Sequence, residues 1–286
     1  MLNLSARICA IFVQLETRRS AMPSRTMRTN AVFAFLMLLL STSFSYSSTS
    51  TSLSLNEYYH KPVQTKELTR LPDMRKYPSG AARKKAFLKA IVPIIEKYNY
   101  KIMQDRQWLL SKRYNKNWNA ADKQRLNQIC TSYNIQCSSP ASLNWNNLLS
   151  RVDIIPTHFV VTQAATESGW GASGLAQKNN NLFGMKCGRK CTYSKGTIKG
   201  YAVYSSIDAS VNAYLRNLNT NNAYQLLRNS RAQQRRTQNS LNTSVLIDHL
   251  KNYSQLGREY NRYLQQMFSS NEELITQVQQ NMPKHI

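Results

Sequence analysis

The sequence predicts an α+β chain that is predominantly α. Apolar residues recur at three- and four-residue spacing along most of residues 79–280, which is the period of a helix with one buried face. One stretch, residues 182–204, breaks that rhythm with short strand-like runs flanking Gly188 and Gly196. Helices, a small β-hairpin lobe and further helices are the expected order.

Residues 1–46 read as an upstream extension and a secretory signal peptide. Arg25 and Arg28 precede an apolar run at 31–40, and small Ser and Thr residues follow. The run is shorter than the about 20 residues of a membrane span, so an uncleaved anchor is the alternative rather than the first reading. Residues 47–78 form a linker: Ser and Thr dominate its start, and Pro62, Pro72 and Pro78 keep the rest extended or irregular.

Residues 79–150 read as an N-terminal helical extension. Phe87, Ile91, Ile94, Ile95, Tyr98 and Ile102 mark one long helix, with a kink expected at Pro93. A second helix is expected at 122–133, with Leu126, Ile129 and Cys130 inward, and a third at 143–151. Residues 151–286 then form the main domain. Its first helix covers 156–166 and ends at Gly169 and Gly171. The strand-like runs are 182–187 and 199–204. Asp208 is read as the N-cap of the next helix, whose inward face is Val211, Tyr214, Leu215 and Leu218. Further helices are expected at 222–234, 243–253, 257–268 and 271–280.

The formal charge is +24, and setting residues 1–46 aside removes five Arg and one Glu, leaving about +20. Such a balance asks for a polyanionic partner. Nucleic acid is one class of polyanion, but the leader points to export and therefore to an anionic cell envelope. The densest late cluster, Arg231, Arg235 and Arg236, reads as a solvated helix face. Cys9 lies in the extension, which leaves Cys130, Cys137, Cys187 and Cys191. An even number at short spacing in an exported chain suggests the pairs Cys130–Cys137 and Cys187–Cys191. Separations of seven and four fit zinc ribbons poorly, so neither a metal nor a cofactor is expected.

Glu167 is the most informative residue. Its carboxylate falls in the last turn of a helix, at the negative end of the macrodipole, with Trp170 close by to exclude water. Both effects lift a carboxyl from about 4.3 toward neutrality, where it can give a proton to a leaving oxygen. Gln163 lies one turn earlier on the same face and could orient that carboxyl.

The surrounding blocks are Ser-Gly-Trp-Gly-Ala-Ser-Gly-Leu-Ala at 168–176, Asn-Asn-Leu-Phe-Gly at 180–184, Tyr-Ala-Val-Tyr at 201–204 and Tyr-Ser-Gln-Leu-Gly-Arg-Glu-Tyr at 253–260. Together they resemble the bacterial endo-β-N-acetylglucosaminidases of glycoside hydrolase family seventy-three. The cysteines that follow Asn-Leu-Phe-Gly match its Bax-type branch. The resemblance implies a lysozyme-like, two-lobed domain and a peptidoglycan hydrolase of the periplasm or cell envelope. It implies Glu167 as general acid at the GlcNAc-β-1,4-MurNAc bond of a monomeric enzyme. Trp170 and Phe183 would offer flat faces to pyranose rings, Asn180 and Asn181 would match an N-acetyl group, and Tyr204 would sit beside the groove.

The chain departs from the family pattern in one respect: no Asp or Glu stands between Ser168 and Ile207, where relatives place a second carboxylate. The resemblance therefore points to a tyrosine near the C-terminal side of the groove, Tyr253 ahead of Tyr260, with the substrate's acetamido oxygen as nucleophile. A lytic transglycosylase or muramidase using Glu167 alone, and a catalytically silent wall-binding protein, are the other readings.

Overall fold

The computed structural model describes residues 53–54, 66–137, 139–188, 195–238, 240–250 and 257–282. The described residues are mostly helical: α1 Ala81–Lys112, α2 Ala120–Ser132, α3 Trp145–Arg151, α4 Thr157–Ser168, α5 Gly174–Asn179, α6 Ile207–Thr220, α7 Gln225–Thr237, α8 Thr243–Asp248, α9 Arg258–Ser269 and α10 Glu272–Gln280. Two short strands, β1 Leu53–Ser54 and β2 Ser240–Leu241, pair antiparallel with Leu53 opposite Leu241. No helix among the described residues is long and apolar enough to cross a membrane.

Helix α4 is the axis of the fold. Every residue from Thr157 to Ser168 except Glu167 is buried, because α1, α8, α9 and α10 pack around it. Phe159, Val160, Ala164 and the α1 residues Phe87, Leu88, Ile91 and Ile95 share one core. Burying such side chains contributes about 1.5–3 kcal/mol each. Helix α1 is continuous through Pro93. A separate cluster gathers Leu109, Leu126, Ile129, Leu148 and Val152, with Trp108, Trp118 and Trp145 packed on it. Cys130 and Cys137 are disulfide-bonded, their Cα atoms 6.1 Å apart. Cys187 is disulfide-bonded as well, while Cys191, its expected partner, lies outside the described residues.

Polar pins fix where α4 starts. The Asn99 amide donates to the Ile155 carbonyl at 2.7 Å and accepts from the Ile155 amide at 3.2 Å. Thr157 donates to Glu96 at 2.5 Å, and Gln279 donates to the same Oε1 at 2.7 Å, joining α1, α4 and α10. Just upstream, Asp153 receives Arg235 at 2.5 and 3.0 Å, with Arg106 at 3.6 Å and Arg231 at 3.8 Å. Burial alone would raise the Asp153 pKa; Arg106, Arg235 and Arg231 together overcome that and hold it below the ordinary carboxylate value. The expectation of a solvated basic face is corrected at Arg231 and Arg235, while Arg236 is exposed as expected. Arg231 is fully buried and Arg235 is nearly so, since each finds acceptors on Asp153 or the backbone beside it.

Two further expectations change. Ser206 caps α6, its side chain accepting from the Ala209 amide at 3.0 Å. Asp208 lies in the first turn, ion-paired with Lys97 and accepting from the Leu68 amide at 2.9 Å, so it ties the chain before α1 to α6. The hairpin at 182–204 is reduced, among the described residues, to one bridge between Lys186 and Tyr201. Asparagine side chains hold that segment where a longer ladder was expected. Asn181 donates to the Met185 and Ala202 carbonyls at 2.9 and 3.0 Å, and Asn179 exchanges bonds with Ile198 at 2.8 and 3.0 Å.

Candidate active site

Glu167 emerges where α4 stops. Gly169 closes the helix in the left-handed region at φ 56°, which costs glycine little. Trp170 and Gly171 continue with φ 56° and 75°, so three successive residues turn the chain back. Ser168 locks the turn, donating to the Ala164 carbonyl at 2.6 Å and accepting from the Gly171 amide at 2.8 Å. Holding tryptophan in that backbone region is costly, and strain of about 1–3 kcal/mol is characteristic of functional sites. Trp170 is half-buried. It meets Phe87 edge-on at 5.9 Å, with the Lys84 ammonium 5.2 Å from its ring centroid.

Three elements converge on the carboxyl of Glu167. From α9, the Tyr260 hydroxyl donates to Oε1 at 2.6 Å. From α4 itself, Gln163 places its Oε1 3.3 Å from the same hydroxyl. From the loop after α5, Gly184 lies against the other oxygen: a Cβ there would stand 3.0 Å from Glu167 Oε2. Its φ of 63° also disfavours a side chain. Burial raises the Glu167 pKa above its ordinary value, and the Tyr260 hydrogen bond opposes that without cancelling it. Tyr260 is itself pushed well up by burial and by the neighbouring carboxylate. Tyr263, one turn further along α9, is raised by burial and by the charge of Glu167. Tyr263 belongs to none of the sequence blocks above; its one signal is the i, i+3 spacing from Tyr260.

The structure thus brings Gln163 and Tyr260 to Glu167 and leaves Trp170 partly open beside the turn. Other expected sugar contacts face inward. Phe183 is 1% exposed and stacks on Tyr214 of α6, centroids 3.8 Å apart. Asn181 spends its amide on the loop backbone, with its oxygen accepting from Phe183 and Met185 amides. Asn180 caps α5 at φ 51° and donates to the Thr69 and Tyr204 carbonyls at 3.0 Å. The Tyr204 hydroxyl donates to the Met185 sulfur at 3.3 Å. These four side chains hold the wall together. Tyr253 lies outside the described residues. Asp208, the first acid after Glu167, is committed to Lys97 and Leu68 as described.

A buried, protonatable carboxyl at a helix end, backed by a tyrosine hydroxyl and floored by a bare glycine, is the equipment of an acid catalyst. A family model described as mannosyl-glycoprotein endo-beta-N-acetylglucosaminidase, the glucosaminidase family, matches residues 143–273, a span that holds Glu167, Gly184, Tyr260 and Tyr263. The chain belongs to this family of glycoside hydrolases, in its Bax-type branch. It is 49% identical over 207 residues to "Protein bax" of Escherichia coli (strain K12), covering 72% of this chain and 76% of that protein. No solved structure matches the chain.

Proposed function

We propose that the chain is an endo-β-N-acetylglucosaminidase of peptidoglycan, cutting the GlcNAc-β-1,4-MurNAc bond with Glu167 as general acid. The observation that carries this is the Glu167 carboxyl, whose pKa burial raises and which is joined to Tyr260 at 2.6 Å. Protonated Glu167 gives its proton to the glycosidic oxygen as the bond to the anomeric carbon breaks. The acetamido oxygen of the same GlcNAc attacks that carbon, and Glu167, now a carboxylate, takes a proton from the water that opens the cyclic intermediate. The Tyr260 hydroxyl stabilises the carboxylate between the two steps. The commitment of Asp208 elsewhere favours this route over a two-carboxylate one. With a charge of +24, the chain suits a wall whose peptide stems carry carboxylates, and a disulfide and a leader suit an exported protein.

Mass spectrometry of digested sacculi tests the reading. Reducing-end GlcNAc is expected. Anhydro-MurNAc would instead establish a lytic transglycosylase, and sacculi that are bound but never cut would establish a silent binding protein.

A further inference from the structure

Lys84, near the start of α1, reaches the turn that follows Glu167. Its ammonium lies 5.2 Å from the ring centroid of the half-buried Trp170, three residues past Glu167, and donates to Asn271 Oδ1 at 2.7 Å. Asn271 stands between α9, which carries Tyr260, and α10. It is buried, and its own amide donates to the Met267 carbonyl of α9 at 2.7 Å. The ammonium is thus fixed between the turn after Glu167 and the far end of the helix that brings Tyr260 to it.

Nothing in the fold itself calls for a charge at this place. An ammonium has three N–H donors, and Asn271 takes one. Both neighbours, the Trp170 ring and the Asn271 oxygen, are neutral, and no carboxylate among the described residues pairs with Lys84. The first turn of α1 holds no acid, and the dipole disfavours a cation at that end of a helix, so helix stability does not account for it either. A half-buried cation held beside a partly open aromatic ring suits a sugar that bears an acidic substituent. The ring takes an apolar face, and the ammonium takes the carboxylate in a charge-assisted hydrogen bond.

We propose that Lys84 is a specificity-determining residue, which binds a carboxylate of the wall's peptide stem next to the bond that is cut. The inference rests on the reading of the chain as a peptidoglycan hydrolase. It deepens that reading by placing a substrate contact on α1, outside the span 143–273 that the family model matches.

The test compares kcat/KM of the full chain on sacculi and on the same sacculi with their carboxyl groups converted to methylamides. The parent, Lys84→Met, Lys84→Arg and Lys85→Met are read side by side; Lys85 is exposed and controls for bulk charge. The parent is expected to prefer the native wall. Lys84→Met should reduce that preference about tenfold, the scale of one hydrogen bond to a charged group, by losing activity on the native wall alone. Lys84→Arg should retain most of the preference, and Lys85→Met should stay within about twofold of the parent. No preference in the parent, a preference that survives Lys84→Met, a loss shared by both walls, or an equal effect of Lys85→Met overturns the inference. If Lys84→Met does not fold, Lys84→Gln, which removes the charge and keeps a polar head, is read in the same way. Glycan strands stripped of their stems keep only lactyl carboxylates. An effect confined to stem-bearing wall is expected, and an equal effect on stripped strands assigns the carboxylate to the lactyl group and overturns the stem. A parent chain that cuts neither wall overturns instead the reading on which the inference rests, so the two failures are separable.

Discussion

Asp153 and Glu167 bracket α4, one just before its first turn and one in its last, and both carboxyls are withdrawn from water. Burial opposes ionisation at each. Asp153 is ringed by Arg106, Arg231 and Arg235 and stays ionised, whereas Glu167 meets one hydroxyl and its pKa is raised. The same helix is therefore anchored by a carboxylate at one end and, at the other, carries a carboxyl whose raised pKa suits the proton donor proposed above. Buried cations, rather than depth of burial, separate the carboxyl whose pKa is lowered from the one whose pKa is raised.

The sharpest way to break this comparison is to neutralise each acid in turn. Glu167→Gln should lower kcat by about 10²–10⁴ while leaving stability equal or slightly higher, because the side chain is no longer asked to ionise in a dry site. Asp153→Asn should do the reverse, lowering stability by about 3–5 kcal/mol because Arg231 is left buried without a counter-charge. Sacculus digestion and urea unfolding of both variants measure the pair. Equal losses of activity and stability in either would end the distinction.

A second handle is pH, since His158 in the first turn of α4 is a buried base. Burial lowers its pKa from 6.5 to about 4, against the opposing charge of Glu272. The unfolded chain therefore binds more protons between about pH 4 and 6.5, and stability from His158 grows as pH rises through that window, by about 3 kcal/mol in all. Glu167 has the opposite sign: its raised folded pKa means that stability falls as pH climbs above about 4.5. Urea unfolding across this range should show a steeper rise in Glu167→Gln than in the parent chain. Parallel curves would mean that the two groups do not oppose each other.

A finer probe is Gly184→Ala, which places a Cβ 3.0 Å from Glu167 Oε2 on a backbone with φ 63°. Displacing the carboxyl should cost about ten- to a hundredfold in kcat, with KM less affected. Unchanged kcat would show that the glycine serves only its own turn.

Much of this was legible in the residues. The period of Phe87, Ile91 and Ile95 marked α1, and the Glu-Ser-Gly-Trp-Gly run marked the end of α4 and the acid on it. What escaped has a common cause. Arg231 meets the backbone of Asp153 and Ile154 from nearly eighty positions away, Asp208 meets Leu68 and Lys97, and Phe183 stacks on Tyr214. Local pattern records which residues could be charged or aromatic, but not which distant partner consumes them. For that reason the basic cluster read as solvent-facing and Phe183 as a sugar platform. Tyr260 reads as a site tyrosine second to Tyr253, and only its bond to Glu167 escaped. Its neighbours on α9 say nothing of Glu167, which comes to it only when α4 and α9 pack.

The smallest expected effect comes from the region furthest from this chemistry in kind, the Cys130–Cys137 disulfide at the end of α2. It closes a ring of sequence separation seven, and by chain entropy so short a ring stabilises by only about 2 kcal/mol. Cys130 packs with Leu126, Ile129 and Leu148 in the smaller cluster, whereas Glu167 extends from a helix buried in the larger one. Replacing both cysteines with Ser also leaves a hydroxyl in an apolar site at 130, which adds to the loss. The variant should therefore unfold at lower urea concentration while its kcat, measured on the folded fraction, stays within about twofold of the parent. A fall in kcat with no fall in stability would show that the smaller cluster is coupled to the Glu167 site. Full stability with full activity would show that packing of Leu109, Leu126 and Leu148 holds the cluster without the bond.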